Sequence, residues 1–461
     1  MQGSLTEQSS TSKVVQAGII GTGHFSTAIV SQSVSIPRLH IPAVADVNLE
    51  AGIQAFTQAN IEPDRIAICE SDQEVKNAWD HQQRIVVPDA SLLMDLPIDI
   101  VVESTGIPEI GARYGLEAIQ HGKHLAMVSK DVDIVVGPIL KHLADKADVV
   151  YTQVDGDQHG LLVQLVEWSR DLGLEVISAG KFLEFDLVYD PERSTISWGK
   201  DSTVLPTRDT HWFRPQSEVD SARVAKERRR VLKTLGSHKG YDVVEMALAA
   251  NVSNLHPDTP ALHGAALRIN EIADVLCDQD RGGILRSTGT VDCVSCLRYG
   301  YESAMGGGVF VVVDASADYS RSIMHAKGLP PNSRGNAGLI YKPYHLCGVE
   351  TAHSLLSAVL RNEPTSGKTF RPTYDVVAEA RIDLQEGGQV PSDKSPDLKA
   401  LMVSANDMKV TNPIPLHLAR GNRLKRPLSS GETITYDDIE EPESSILWSL
   451  RKQQDQLFLR N

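Results

Sequence analysis

The chain has 461 residues, 41% apolar, 23% charged and only 5% aromatic, enough for about three packed units at roughly 150 residues each. Sixty acidic against 45 basic residues give a formal charge of −15, a field that repels nucleic-acid backbones and anionic membrane surfaces. No apolar run approaches the roughly 18 residues that span a bilayer. The opening Met1-Gln2-Gly3-Ser4-Leu5-Thr6-Glu7 lacks the basic and apolar regions of a signal peptide, so a soluble, cytoplasmic protein without nucleic-acid or membrane partners is expected.

Beyond a polar arm to about residue 12, Val14 to Ile20 is a short apolar run that ends in Gly21-Thr22-Gly23-His24-Phe25-Ser26, and an amphipathic stretch follows to Val34. This pattern reads as strand, glycine turn and helix. Gly21 permits the tight turn, Gly23 lets a pyrophosphate approach the backbone, and the exposed amides of the helix start favour its charge. The third glycine position holds Ser26, a departure that loosens the helix against the strand. A second apolar strand, Ile41 to Asp46, ends in an acid about 20 residues beyond the turn, where dinucleotide folds place the carboxylate that accepts ribose hydroxyls. Asp46 can equally cap the helix from Leu49 to Ala59. It would repel a 2′-phosphate, so the local chemistry leans towards NAD, with NADP or NAD as the expected cofactor.

Further apolar strands at Asp99 to Val102, Leu125 to Val128 and Val149 to Val154 alternate with helical patterns, which implies a parallel sheet with covered faces. Ligands collect beyond the carboxyl ends of such strands. The clusters placed there are Gly21 to His24, Asp46, Glu103-Ser104-Thr105-Gly106, Ser129-Lys130-Asp131 and Asp155-Gly156-Asp157-Gln158-His159. On extended backbone Asp155 and Asp157 point to one side, and a hard cation such as Mg2+ or Mn2+ would relieve their repulsion. Turn chemistry at the start of the helix from Leu161 to Asp171 accounts for them equally well. A metal needs a third ligand, and Ser237-His238-Lys239-Gly240-Tyr241-Asp242 opens another helix with Asp242 in its first turn. Lys239 is a cation at a helix amino end, disfavoured unless an anion lies close by.

The stretches Val128-Ser129-Lys130-Asp131, Val154-Asp155-Gly156-Asp157-Gln158-His159 and His238-Lys239-Gly240-Tyr241-Asp242-Val243-Val244-Glu245 resemble, in order, the three active-site segments of deoxyxylulose phosphate reductoisomerase. The chain as a whole resembles the reductoisomerase-like oxidoreductases, a separate family with a cofactor domain similar to that of homoserine dehydrogenase and a small SAF-type domain at its end. Met305 to Val312 and Tyr341-Lys342-Pro343-Tyr344-His345-Leu346 look like further signatures of it. The resemblance implies a divalent metal, Mg2+ or Mn2+, on Asp155, Asp157 and Asp242, with Asp155 in the catalytic set. It also implies Lys130 near the nicotinamide, Lys239 on the substrate, and Glu103, Ser104, Thr105 and Gly106 lining the cofactor beside Gly21, Thr22, Gly23, His24, Phe25 and Asp46. The pattern departs at His238, where asparagine is expected, at Asp157 and Asp242, where glutamate is, and at Gly156, where serine is. After Gly180-Lys181, Phe182-Leu183-Glu184-Phe185-Asp186 stands in place of a second lysine and tyrosine cluster.

Ala222 to Lys233 is strongly basic, either a solvated helix face or a positive funnel leading to Lys239. The polar stretch 190–216, with Trp198, His211 and Trp212, is either a lid or ordinary packing. Cys293 and Cys296 have metal-ligand spacing but no second pair, so buried thiols are expected. Near the end, Arg381, Leu384, Gly387 and Val390 recur at one constant offset as Lys425, Leu428, Gly431 and Ile434, short strands with glycine turns. The expected class is α/β: a Rossmann-type parallel-sheet cofactor domain (13–155), an α+β catalytic domain (156–363) and a small β-rich SAF-like domain (374–445). The expected activity is an NAD(P)-dependent, metal-assisted oxidoreductase or oxidoisomerase on a small polyhydroxylated carbonyl or alcohol, as a monomer or homo-oligomer. Homoserine dehydrogenase is a rival, although its spaced Asp, Asp, Lys helix is not found. A catalytically silent dinucleotide or sugar sensor is the third option.

Overall fold

The structure is a computed structural model that describes residues 13–216, 220–233, 235, 240–367 and 369–459. Strand and helix alternate from the start: β1 (Val15–Ile20), α1 (His24–Ser33), β2 (Leu39–Ala45), α2 (Leu49–Gln58), β3 (Ile66–Ile68), α3 (Asp72–Asp80), β4 (Arg84–Val87), α4 (Ser91–Met94), β5 (Ile100–Glu103), α5 (Pro108–Gln120), β6 (His124–Met127), α6 (Lys130–Lys146), β7 (Tyr151–Gln153) and α7 (Gln158–Asp171). The strands form one parallel sheet in the order β3-β4-β2-β1-β5-β6-β7. Their near-continuous apolar runs are those of strands covered on both faces. The chain leaves β1 towards β2 on one side and reaches β5 on the other, so a crevice opens where the order reverses. The expected α/β class with a Rossmann-type sheet is what the chain adopts. β3 and β4 lie outside the apolar runs that the sequence displays, because β3 is partly exposed and β4 opens on Arg84.

A second sheet is mixed. It is built from β8 (Val176–Phe182), β9 (Leu187–Asp190), β10 (Thr195–Trp198) and β11 (Asp201–Val204), then, beyond α8 (Ser221–Val231) and α9 (Gly240–Ser253), from β12 (His256–Pro257) and β13 (Ala265–Leu267). After α10 (Ile272–Val275) come β14 (Thr290–Tyr299), β15 (Val309–Asp314), α11 (Asp318–Ala326) and β16 (Ala337–Lys342). Its strands run β11-β10-β9-β14-β8-β15-β16, with β12 and β13 also on β14. The stretch 190–216 thus supplies outer strands and puts Trp212 and Phe213 into a core, so it is packing, not a free lid. Cys293 and Cys296 lie three apart on β14, buried on opposite faces, and form no pair.

The helix α9 is buried from Asp242 to Ser253, as its apolar composition on all sides requires. It packs against α6, α7 and β14, and against the C-terminal strands β17 (Tyr374–Ala380) and β18 (Leu398–Ser404). Between them α12 (Thr351–Arg361) returns to the first sheet and buries Ala352, Leu355, Leu356 and Ala358 against it.

The C-terminal part is a two-stranded antiparallel sheet with α13 (Ala405–Thr411), α14 (Leu416–Ala419) and α15 (Ile446–Phe458). The two copies of the repeat pair with each other. Leu384 N–H donates to Leu428 O at 2.8 Å and Leu428 N–H to Leu384 O at 2.9 Å, each leucine facing its own equivalent as a local two-fold axis demands. The glycines of both copies have left-handed backbone, φ 73° at Gly387 and 93° at Gly431.

Candidate functional site

At the carboxyl end of β1, Gly21 has φ 86°, and a side chain there would meet Ser104 O at 2.9 Å. Gly23 is different: a Cβ would meet nothing within 4 Å, which leaves room above the amino end of α1. No acidic residue stands in the first turn of α1 and no side chain caps it, so its amides are free to meet a phosphate. The departure at Ser26 has a local reason, because its hydroxyl hydrogen-bonds that of Ser104 across the strand ends. Asp46 Oδ2 accepts from Thr22 N–H and Oγ1–H, both at 2.7 Å, and Oδ1 accepts from Asn48 N–H at 2.8 Å. Asp46 thus ties the glycine turn to the entrance of α2 without capping the helix, whose N-cap is Asn48. Glu103 is fully buried, and burial raises its pKa; Thr105 N–H and Oγ1–H bind Oε1 at 2.9 and 2.6 Å. Gly106 N–H donates to Ser129 Oγ at 2.8 Å, joining the ends of β5 and β6.

The centre of the site lies where α6 and β8 meet α9. Lys130, the first residue of α6, and Lys181, the one charged residue of the buried β8, both form ion pairs with Glu245, and Lys181 Nζ stands 2.7 Å from Asp242 Oδ1. Both ammonium groups lie over the Tyr241 ring, 5.2 and 5.4 Å from its centre. Burial works against both lysine charges, yet Glu245 leads the acids that raise their pKa above the ordinary lysine range. Burial likewise disfavours the Glu245 carboxylate, and the two lysines outweigh it and lower its pKa. The result is a charge-compensated cluster of two ammonium groups and two carboxylates, buried except at Lys130, which is partly exposed. Lys181, Tyr241 and Glu245 carry no role in the sequence reading. A lysine alone in Val176–Phe182 and an acid inside the apolar α9 were the available signals.

Asp155 lies at the end of β7 but faces α12: Oδ2 is 2.6 Å from His353 Nδ1, Oδ1 accepts from Gln164, and its N–H donates to Ser354 Oγ at 2.8 Å. Asp157 caps α7 by accepting from Gln158 N–H at 2.7 Å and stands 3.7 Å from His159 Nδ1. Against the burial that would raise it, Lys130 and His159 hold the Asp157 pKa well below the usual carboxylate range. Asp242 belongs to Lys181. Each of the three predicted metal ligands has a different partner, and among the described residues their oxygens do not converge closely enough to share Mg2+ or Mn2+. Lys239 and His238 lie outside the described residues. Among the described residues, ligand atoms converge instead in Asp131, Asp393 and His417, a candidate metal-coordinating cluster.

The basic segment 222–233 is divided. Arg228 is buried and bidentate to Glu271, at 2.5 and 2.9 Å, while Arg229 and Lys233 line a cavity of about 560 Å3. Arg381, Lys394 and Lys399 line its other wall, and Gly240 and Val243 at the start of α9 reach it.

Residues 156–351 match the family described as "Oxidoreductase DRL, catalytic domain". The chain carries an oxidoreductase catalytic domain. The match covers less than half of the chain and takes in Asp157, Lys181, Asp242 and Glu245, while the Rossmann-type sheet and Lys130 precede it. No curated protein matches the chain. Among solved structures, the chain is similar to GenD2 from gentamicin A biosynthesis in complex with NAD, at 12% identity over 78% of this chain and 91% of that one, TM-score 0.39. It is also similar to myo-inositol dehydrogenase from Lactobacillus casei in complex with NAD(H) and myo-inositol, at 17% identity over 38% and 47%, TM-score 0.28. A third is the WlbA dehydrogenase from Bordetella pertussis in complex with NADH and UDP-GlcNAcA, at 15% identity over 40% and 46%, TM-score 0.27. Likeness at this level carries no cofactor or substrate across to this chain.

Proposed function

We propose that the chain is an NAD(P)-dependent oxidoreductase of reductoisomerase-like type, acting on a small polyhydroxylated carbonyl or alcohol. The observation that carries this reading is the convergence of Lys130 and Lys181 on Glu245 beside the crevice of the Rossmann-type sheet. The glycine turn fits a dinucleotide: Gly23 leaves space, the amides of α1 are uncapped and Asp46 can receive a ribose. When bound, the dinucleotide supplies or accepts hydride. The chain's own part is to hold two ammonium groups charged in a buried pocket. A carbonyl oxygen placed between them is polarised, and Lys130 gives it a proton as its carbon is reduced, with Glu245 steadying the lysines on either side. Because Glu245 keeps both lysines charged, the pair meets developing negative charge on the substrate oxygen whichever way hydride moves. The cationic cavity against α9 supports a substrate with an anionic group.

The test is nicotinamide absorbance with both cofactors against a panel of sugars, sugar acids, sugar phosphates and polyols. Turnover is expected with at least one anionic member. Lys130→Met should lower kcat about 10²- to 10⁴-fold, the usual contribution of a positioned acid, while dinucleotide binding persists. Unchanged kcat in a folded Lys130→Met protein sinks the assignment. Dinucleotide binding without turnover across the panel supports the silent-sensor reading instead.

A further inference from the structure

Asp131, Asp393 and His417 come from three distant parts of the chain. Asp131 sits in the first turn of α6, Asp393 on the segment before β18, and His417 in α14. The His417 side chain is 0% exposed and that of Asp393 2%, and neither ring nitrogen of His417 nor Asp393 Oδ1 makes a hydrogen bond. A buried imidazole and a buried carboxylate oxygen without hydrogen bonds are costly to leave unsatisfied, so the cluster calls for a partner. His417 Nε2 nevertheless points at both acids, 3.4 Å from Asp131 Oδ1 and 3.8 Å from Asp393 Oδ2. An imidazolium hydrogen-bonded to a carboxylate would stand nearer 2.8 Å. Ligands held at about 2.0–2.2 Å around a tetrahedral cation stand roughly 3.3–3.6 Å apart. Arg420 Nη1 takes the other oxygen of Asp131 at 3.1 Å, which turns Oδ1 towards the histidine as an outer-shell partner does.

We propose that these three residues bind a divalent first-row cation, Zn2+ by preference, since one imidazole and two carboxylates whose ligand atoms lie within 4.8 Å of one another suit it best. The ion clamps the C-terminal part of the chain to the first turn of α6, one residue from Lys130. Its place is structural: it fixes where α6 begins and which way Lys130 faces, and it does not depend on the substrate proposed above.

The experiment is elemental analysis of the purified full-length protein, followed by Co2+ titration of the chelated form. About one equivalent of metal per chain is expected, with a Co2+ absorption band of the intensity of a four- or five-coordinate site. His417→Cys should add a thiolate-to-Co2+ charge-transfer band, and His417→Gln or Asp393→Asn should abolish the equivalent. Chelation should lower the melting temperature of the native chain but not of His417→Gln. A chelated, folded native chain that gives no Co2+ band overturns the proposal. So does retention of the full equivalent in both folded His417→Gln and Asp393→Asn.

Discussion

Two glycines separated by a single threonine meet different constraints in the same turn. At Gly21 the backbone itself requires glycine, because φ is 86° and Ser104 O would lie 2.9 Å from a Cβ. At Gly23 the protein imposes nothing, so the requirement comes from whatever approaches the turn. Gly21→Ala should therefore destabilise the fold by about 1–3 kcal/mol and shift the denaturation midpoint. Gly23→Ala should leave that midpoint unchanged and weaken dinucleotide binding, read by fluorescence titration. Equal loss of stability in both would show that the space above Gly23 is not a ligand's. The same contrast sets what the sequence could reveal. The glycine turn and Asp46 are neighbours in a strand-and-helix pattern and were readable from spacing. Lys181 and Glu245 meet only because β8 and α9 pack together, and Asp131, Asp393 and His417 share no local pattern at all.

Among the elements, α6 shows how a distant side chain can complete a helix. Pro138 lies inside it, cannot donate to the Ile134 carbonyl, and crowds the preceding turn. The carboxamide of Gln454, from α15, enters the opened turn: it accepts from Ile139 N–H at 3.1 Å and donates to Val135 O at 3.0 Å. These are the two groups that an unbroken helix pairs with each other. Gln454 is fully buried, so Gln454→Leu keeps the volume and strands both backbone groups. A loss of about 1–3 kcal/mol in chemical denaturation is expected. A loss below 0.5 kcal/mol (roughly the scatter of surface changes) would show that the helix closes on itself. The proline was visible in the sequence and its remedy was not, since the remedy is supplied by a helix more than 300 positions away. Elements with strong local signals, such as α1, the fully buried β5 and the C-terminal repeat, were legible; β3 is partly exposed and β4 opens on Arg84, so neither stands out as an apolar run.

Over the whole molecule the chain repeatedly returns to what it built first. α12 covers one face of the first sheet, and its Thr351 and Ser354 hold the backbone of Asp155 at the end of β7. α15 packs on α5 and α6, and Glu109 of α5 accepts from Ile446 N–H at 2.7 Å and Leu447 N–H at 3.3 Å at its start. Further along, Arg451 is buried and bidentate to Asp375 of β17, at 2.9 and 2.6 Å. The C-terminal segment is therefore part of the support of the Rossmann-type sheet and its crevice. Units joined through shared cores and buried ion pairs unfold together, because exposing one face strands groups on the other. Calorimetry should show one transition with matching calorimetric and van't Hoff enthalpies. Dinucleotide at about 100 times its Kd should move that entire transition by the equivalent of about 2.7 kcal/mol. Two separate transitions, only one of them moved by the dinucleotide, would mean that the crevice stands without its C-terminal support. Asp375→Asn sharpens the test. It leaves Arg451 with a poorly matched partner far from the glycine turn, at a cost of about 3–5 kcal/mol, yet in a cooperative molecule the transition that the dinucleotide stabilises must fall with it.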